Sequence, residues 1–239
     1  MEVHHHSHHG KKKWTEYFWE FLMLFLAVFC GFLAEYQLEH VIEHSKEKEY
    51  MRSMVEDLQQ DTTVISEVIL KHKASVKNLD TLLNLLELPG IKSNSNLKRI
   101  YDIHFGDAGA DLATFSQRTM SQLKNAGGLR LIRIKDVADG ISLYDSKTQE
   151  LMAIFKSFDE ISTETFKSGT FIFDTRYLRH NSTAEDMTLL TDDKHVLRQY
   201  ANYVFMFQAV SGYYYDHLSQ QKGLAVELIN LIKKEYHLK

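Results

Sequence analysis

Histidines are the residues of this sequence best suited to chemistry, and one group of them lies in the N-terminal tail, residues 1–13 (MEVHHHSHHGKKK). The members of this group are His4, His5, His6, His8 and His9. Imidazole is a good ligand for zinc, copper and nickel ions, and a short polar tail can fold around an ion. The tail is therefore a candidate site for a divalent metal. The alternative is a polar, partly cationic segment that lies on anionic lipid headgroups.

A second group of histidines belongs to the motif H-x-x-E-H, formed by His40, Glu43 and His44. In zinc hydrolases with this signature, two histidines one helical turn apart bind the metal and the glutamate acts as general base. Such a site also needs a third ligand and a closed pocket, and the surrounding sequence indicates neither. We therefore expect a protein that is not an enzyme and has no cofactor beyond a metal on the tail. A zinc hydrolase is the alternative that the motif leaves open.

Glu20 is the third candidate, because it lies within an apolar segment of the chain, one helical turn after Glu16. An ionisable side chain in a membrane span is by default a functional candidate, for example a proton site or a partner for a charge on another subunit. Glu20 lies near the start of the segment, so its carboxylate can also extend to the lipid headgroups. The first reading predicts an ion-coupled single-span subunit, and the second gives Glu20 no function.

The apolar segment, residues 14–36 (WTEYFWEFLMLFLAVFCGFLAEY), is long enough to cross the hydrocarbon core of a membrane as a helix. Aromatic residues that favour the membrane interface lie near both its ends: Trp14, Tyr17, Trp19 and Tyr36. Lysines 11–13 precede the segment and glutamates follow it, which predicts a cytoplasmic N-terminus and an exported C-terminal domain. We expect an uncleaved signal anchor, because Phe32 is too large for signal peptidase.

Small residues line one face of this predicted transmembrane helix. Ala27 and Gly31 are four residues apart, and Cys30 and Ala34 repeat the spacing. The small-xxx-small pattern lets two helix backbones approach closely, so it predicts association with another span. The alternative is chance, since glycine and alanine are common in membrane spans.

The rest of the chain predicts an all-α fold. Residues 37–72 contain no helix breaker, so we expect the transmembrane helix to extend through a polar juxtamembrane neck into a long helix, which packs from about residue 50 onward. Its apolar stripe has helical spacing: Met51, Met54, Val55, Leu58, Thr62, Ile65, Val68 and Ile69. Residues 73–239 then form a periplasmic helical bundle with antiparallel neighbours.

Several details of this bundle are predicted. A short helix covers residues 119–124, and Asp136 caps a longer helix that ends at Gly169. Residues 170–180 form an extended segment that packs Phe171 and Phe173 into the bundle, and a short strand is the alternative. The last helices occupy about residues 192–237, and at least one of the three tyrosines at 213–215 is exposed.

Composition limits the functional classes. The formal net charge is -4 and no basic stripe with interleaved aromatic residues occurs outside the membrane segment, so nucleic acid is not an expected partner. The single cysteine, Cys30, excludes an internal disulfide, so packing alone must stabilise the exported domain.

Four segments resemble a family of functionally uncharacterised bacterial single-span membrane proteins. They are HHHSHHGKKKWTEYFWEFLMLFLAVFCGFLAE, KEYMRSMVEDLQQDT, TMSQLKNAGGLRLIRIKDVADGISLYD and AVELINLIKKEY, and they occur in this order along most of the chain. The resemblance implies a native histidine tail, an uncleaved anchor and a helical exported domain. It implies no activity and no catalytic residues.

From these observations we expect a membrane-anchored scaffold or accessory subunit of a bacterial inner-membrane assembly. Its partners would be the lipid bilayer, further copies of itself and other inner-membrane proteins. Two alternatives are a periplasmic ligand-sensing module that acts with a partner, and an ion-coupled subunit that uses Glu20.

Overall fold

The structure, a computed structural model, describes residues 13–87, 91, 93–107, 111–125, 127–179, 181, 183 and 187–239. Within these residues the protein is all-α, as the sequence predicts. Five α-helices follow one another: α1 (Trp14–Glu87), α2 (Asn94–Asp102), α3 (Arg118–Asn125), α4 (Lys135–Gly169) and α5 (Lys194–Glu235). A π-helix (Ile103–Asp107) continues from α2, and 3₁₀ turns cover Gly128–Leu131 and Thr175–Leu178.

Helix α1 is long because its sequence contains no proline, and Gly31 is its only glycine. The chain's one proline, Pro89, comes two residues after the helix ends. The helix also includes residues 73–87, which the sequence analysis placed at the start of the bundle. Among the described helices, α1 alone is long and apolar enough to cross a membrane. None of its apolar window is buried within the protein.

The described residues fall into two compact units that divide between Glu49 and Tyr50. The second unit, called the bundle below, contains two hydrophobic clusters. Cluster A is built around Met51, Leu58, Leu123, Val137, Ile141, Tyr144, Ala225 and Ile232. Cluster B is built around Ile65, Leu79, Leu82, Ile100, Tyr101, Phe158, Phe173, Tyr200, Val204, Phe207, Tyr214 and Leu218.

Hydrogen bonds show that α4 and α5 are antiparallel. Near the start of α4, the Tyr144 carbonyl accepts from Gln221 Nε2 at 3.1 Å. Near its end, Thr165 Oγ1 donates to the Tyr203 carbonyl at 3.3 Å. The part of α1 in the bundle completes the core, since its residues from Met51 to Leu86 contribute to both clusters.

Two predictions of local structure need correction. Asp136 does not cap α4: the N-cap position is Ile134, which makes no side-chain capping bond, and Asp136 lies in the first turn. A carboxylate there still interacts favourably with the helix dipole. Phe173 packs into cluster B as predicted, but Phe171 is 72% exposed. It lies in the turn directly after α4, where successive side chains point in different directions.

Candidate functional site

The residues predicted for helix association share one face of α1 and are all exposed: Ala27, Cys30, Gly31 and Ala34. A Cβ atom built at Gly31 would meet no atom within 4 Å. The face is therefore open in the single chain, and its predicted role in association stays a prediction.

Glu20 and the predicted interfacial aromatic residues are also exposed on α1. The aromatic residues are Trp14, Tyr17, Trp19 and Tyr36. Tyr36 contacts the ring of His40 edge-on, with centroids 4.3 Å apart. The structure thus places these residues along one continuous helix, and their roles at a membrane remain predictions.

The two histidines of the H-x-x-E-H motif each lie beside a different carboxylate of the same helix. His40 Nδ1 is 3.6 Å from Glu43 Oε2, and His44 Nδ1 is 3.4 Å from Glu47 Oε2. Across the described residues, no group of three or more histidine, cysteine, aspartate or glutamate side chains is arranged to hold a metal ion. The tail histidines, His4, His5, His6, His8 and His9, lie outside the described residues.

A buried histidine in the bundle was not singled out from the sequence. His104 is 2% exposed, and its Nδ1 atom is 2.8 Å from the hydroxyl of Tyr200, which is 1% exposed. The rings of Phe105, Phe166 and Phe173 also lie against the imidazole. Burial lowers the pKa of His104 to about 4, so the ring is neutral at pH 7. His104 Nε2 has no hydrogen-bond partner among the described residues.

The backbone around His104 is adapted to this ring. His104 lies in the π-helix Ile103–Asp107, a helix type that often occurs at functional sites. Opposite it is Gly169, the last residue of α4. A Cβ atom at Gly169 would overlap the imidazole ring, so the close approach requires glycine. The sequence gives no signal for this contact, because the pair is far apart along the chain.

Beside His104 and Gly169 is a cavity of about 630 Å³, at the end of the bundle where α4 finishes and α5 begins. Aromatic and apolar walls come from Phe171, Tyr200, Tyr203 and Val196. Its polar lining includes Glu164 and Lys167, which form an exposed ion pair at 3.1 Å. The volume and the mixed lining are typical of a small-molecule site. Tyr200 links the two features, since it lines the cavity and its hydroxyl lies within hydrogen-bond distance of His104 Nδ1.

A second buried polar group is structural. Asp61 Oδ1 accepts from the Ser116 amide at 2.7 Å, and Asp61 Oδ2 accepts from the Tyr144 hydroxyl at 2.7 Å. Burial raises the pKa of Asp61, while these hydrogen bonds oppose the shift. The carboxylate joins α1 to α4 and to the segment before α3. Because both oxygens are already bonded within the core, we assign this group to stability.

Comparison of the chain with protein-family models, with curated proteins and with solved structures finds no match. The resemblance to bacterial single-span membrane proteins therefore stays a prediction. Three features of the molecule bear on its function: the exposed apolar part of α1, the separately packed bundle, and the cavity beside Tyr200.

Proposed function

We propose that this protein is a membrane-anchored scaffold or accessory subunit, without enzymatic activity, in an assembly of the bacterial inner membrane. The first part of α1 is its uncleaved anchor, with the N-terminus in the cytoplasm and the bundle in the periplasm. The protein associates with further copies or other inner-membrane proteins through its span, assisted by the bundle.

One observation carries the proposal: within the described residues, the apolar first part of α1 is exposed, and it belongs to the same chain as a bundle with its own core. The helix can be shielded from water by lipid and by other spans. Its small-residue face has open space at Gly31, where a second backbone can approach. The lysines before the span and the glutamates after it support the proposed orientation.

Cys30 provides the test, because it is the only cysteine and lies on the small-residue face. If two copies pack through this face, mild oxidation in native membranes should join them into dimers, since a disulfide needs Cβ atoms about 4 Å apart. Ala27→Leu combined with Gly31→Leu should strongly reduce the cross-link by separating the backbones.

The matched control combines Phe25→Leu with Phe29→Leu on the opposite face of the helix, which should leave cross-linking unchanged. Absence of the cross-link in the unmodified chain, or equal loss in both variants, would remove the small-residue face from the proposal. The co-purifying proteins and the particle mass in mild detergent then distinguish self-association from membership in a larger assembly.

A second candidate, a ligand-binding module that acts with a partner, is favoured by the cavity beside Tyr200. Its lining suits a small molecule with an aromatic body and hydrogen-bonding substituents. A ligand-detected NMR screen of such molecules against the full chain should give binders that are lost in Val196→Trp, which fills the cavity. Val226→Trp, also on α5 but outside this cavity, should retain them. A screen without binders, or equal losses in both variants, would reject this candidate.

A further inference from the structure

A different cavity, of about 450 Å³, lies where α5 ends beside the early part of α1 in the bundle. Three permanently charged cations line it: Arg52 from α1, and Lys233 and Lys239 from the C-terminal part of the chain. His237 lies among them. The cavity therefore concentrates basic groups from two segments that are distant in sequence.

Several other cations in the bundle have an acidic partner, unlike these three. Arg118 is paired with Asp57 at 2.8 Å, Lys124 with Asp145 at 2.6 Å, and Lys234 with Glu235 at 3.2 Å. Among the residues that the structure describes, no carboxylate forms an ion pair with Arg52, Lys233 or Lys239. Unpaired cations that share one cavity repel one another, and a bound anion would relieve this repulsion.

Glu56 is the one acidic side chain of the lining, and it is engaged elsewhere. Its Oε2 atom lies 3.2 Å from Nη2 of Arg118, which does not line the cavity. The Glu56 charge is thus partly compensated outside the cavity, and positive charge exceeds negative charge among the lining side chains.

The end of α5 places the C-terminal cations. The Leu238 amide donates to the Lys233 carbonyl at 3.0 Å, and His237 adopts a left-handed conformation with φ 51°. This is the Schellman arrangement, which reverses the chain after a helix and usually has glycine at the left-handed position. The reversal brings Lys239 back to the cavity that Lys233 lines, while Leu238 and Val55 supply apolar wall.

We propose that this cavity binds a phosphate group, carried either by a free phosphorylated small molecule or by the headgroup of an anionic phospholipid. A phosphate monoester carries nearly two negative charges and several acceptor oxygens. It therefore matches one guanidinium and two ammonium groups better than a ligand with a single carboxylate would. The planar donor fork of Arg52 suits phosphate oxygens. The apolar walls accommodate the carbon atoms next to the phosphate.

The test uses the full chain in nanodiscs of phosphatidylcholine alone, titrated calorimetrically with inorganic phosphate and with glycerol phosphate against chloride at constant ionic strength. We expect saturable binding that weakens roughly tenfold or more in Lys233→Gln, which loses a charge-assisted contact. The matched control is Lys234→Gln, the adjacent lysine that is paired with Glu235 and lies outside the cavity; it should bind as the unmodified chain does. Lys233→Arg keeps the charge and should also retain binding, which separates loss of the site from misfolding.

A second arm replaces part of the neutral lipid by phosphatidylglycerol and follows hydrogen exchange of the amides at 233–239. Protection that depends on Lys233 but not on Lys234, without binding of the free compounds, would identify a lipid headgroup as the ligand. Binding of the free compounds with the same dependence would identify a soluble phosphorylated molecule. The proposal is overturned if neither probe binds, or if Lys233→Gln and Lys234→Gln lose binding equally, since the attraction would then be diffuse.

Discussion

We expect His104 to make the stability of the bundle depend on pH. Its pKa is lowered from 6.5 to about 4 by burial alone, because Phe105, Phe166 and Phe173 surround the ring and no charged group contributes to the shift. The unfolded chain therefore binds a proton between these two pH values when the folded chain does not. We expect the free energy of unfolding to fall as pH decreases from about 6.5 to about 4, by roughly 3 kcal/mol from this residue.

Urea unfolding followed by circular dichroism across that pH range measures the effect. The comparison variant combines His104→Leu with Tyr200→Phe, which removes both hydrogen-bond partners together and leaves no orphaned hydroxyl. Its pH dependence should be weaker but not absent, since burial also lowers the pKa of His72 to about 4, beside the stacked ring of Tyr215. An unchanged pH dependence in the double variant would show that His104 is not the responsible group.

Gly169 should be intolerant of even one added methyl group. In Gly169→Ala the new Cβ atom would overlap the His104 imidazole, which is confined by aromatic rings and cannot move without disturbing cluster B. Overpacking of this kind costs about 1–3 kcal/mol. The measurement is the free energy of unfolding at neutral pH.

Gly223→Ala is the control for that substitution. Gly223 lies within α5, and a Cβ atom there would meet nothing within 4 Å. Alanine should therefore stabilise the helix by up to about 1 kcal/mol. Equal effects at the two glycines would mean that the His104 contact does not restrict position 169.

Sequence patterns predicted the neighbourhood of His104 only in part. In the sequence, Tyr200 shares a helical spacing with Leu197, Val204 and Phe207, a pattern typical of a core-facing helix face, and Tyr200 is buried. His104 has no periodic signal of its own in the sequence. Its partner is 96 residues away, and a contact at that separation depends on how the π-helix packs against α5, which spacing along one helix does not encode.

At the scale of elements, α1 fixes the start of α3 through one carboxylate. Asp57 Oδ2 accepts from the Thr119 amide at 2.9 Å, so Asp57 caps α3 from a different helix, while its Oδ1 accepts from Arg118. In Asp57→Ala the buried Thr119 amide loses its partner. We expect a loss of about 2 kcal/mol in the free energy of unfolding and faster hydrogen exchange in α3.

Glu56→Ala provides the comparison, because Glu56 also contacts Arg118 but is exposed and caps nothing. An exposed pair of this kind contributes at most about 1 kcal/mol, so exchange in α3 should stay nearly unchanged. If both substitutions accelerate exchange equally, the ion pair rather than the cap would position α3.

Helix existence was more predictable than helix ends. The apolar stripe of α1 is buried at Met51, Leu58 and Ile65, because a helix with that spacing must cover one face. The ends depend on single contacts: Asp193 caps α5 through the His195 amide at 2.8 Å, whereas the equally plausible Asp136 caps nothing. Both aspartates occupy suitable positions in the sequence. The backbone conformation of the preceding residues determines whether each one takes the N-cap position of its helix.

At the scale of the whole molecule, the buried apolar side chains of both clusters all come from residue 51 or later. The exposed apolar part of α1 contributes none of them. We therefore expect residues 50–239 to fold without the first unit, giving a helical circular dichroism spectrum and a cooperative thermal transition in buffer without detergent. A fragment that lacks such a transition would show that the bundle needs the preceding residues.

The same fragment distinguishes self-association through the span from self-association through the bundle. If the span supplies most of the association, the fragment should have the mass of one chain by light scattering, while the full chain in mild detergent has a multiple of 27.9 kDa or belongs to a larger particle. A fragment that forms the same oligomer as the full chain would move the interface to the bundle and make the open face at Gly31 irrelevant to it. A full chain that is monomeric in detergent and co-purifies with no other protein from its own membrane would contradict the proposed scaffold function, because a scaffold acts by binding other proteins.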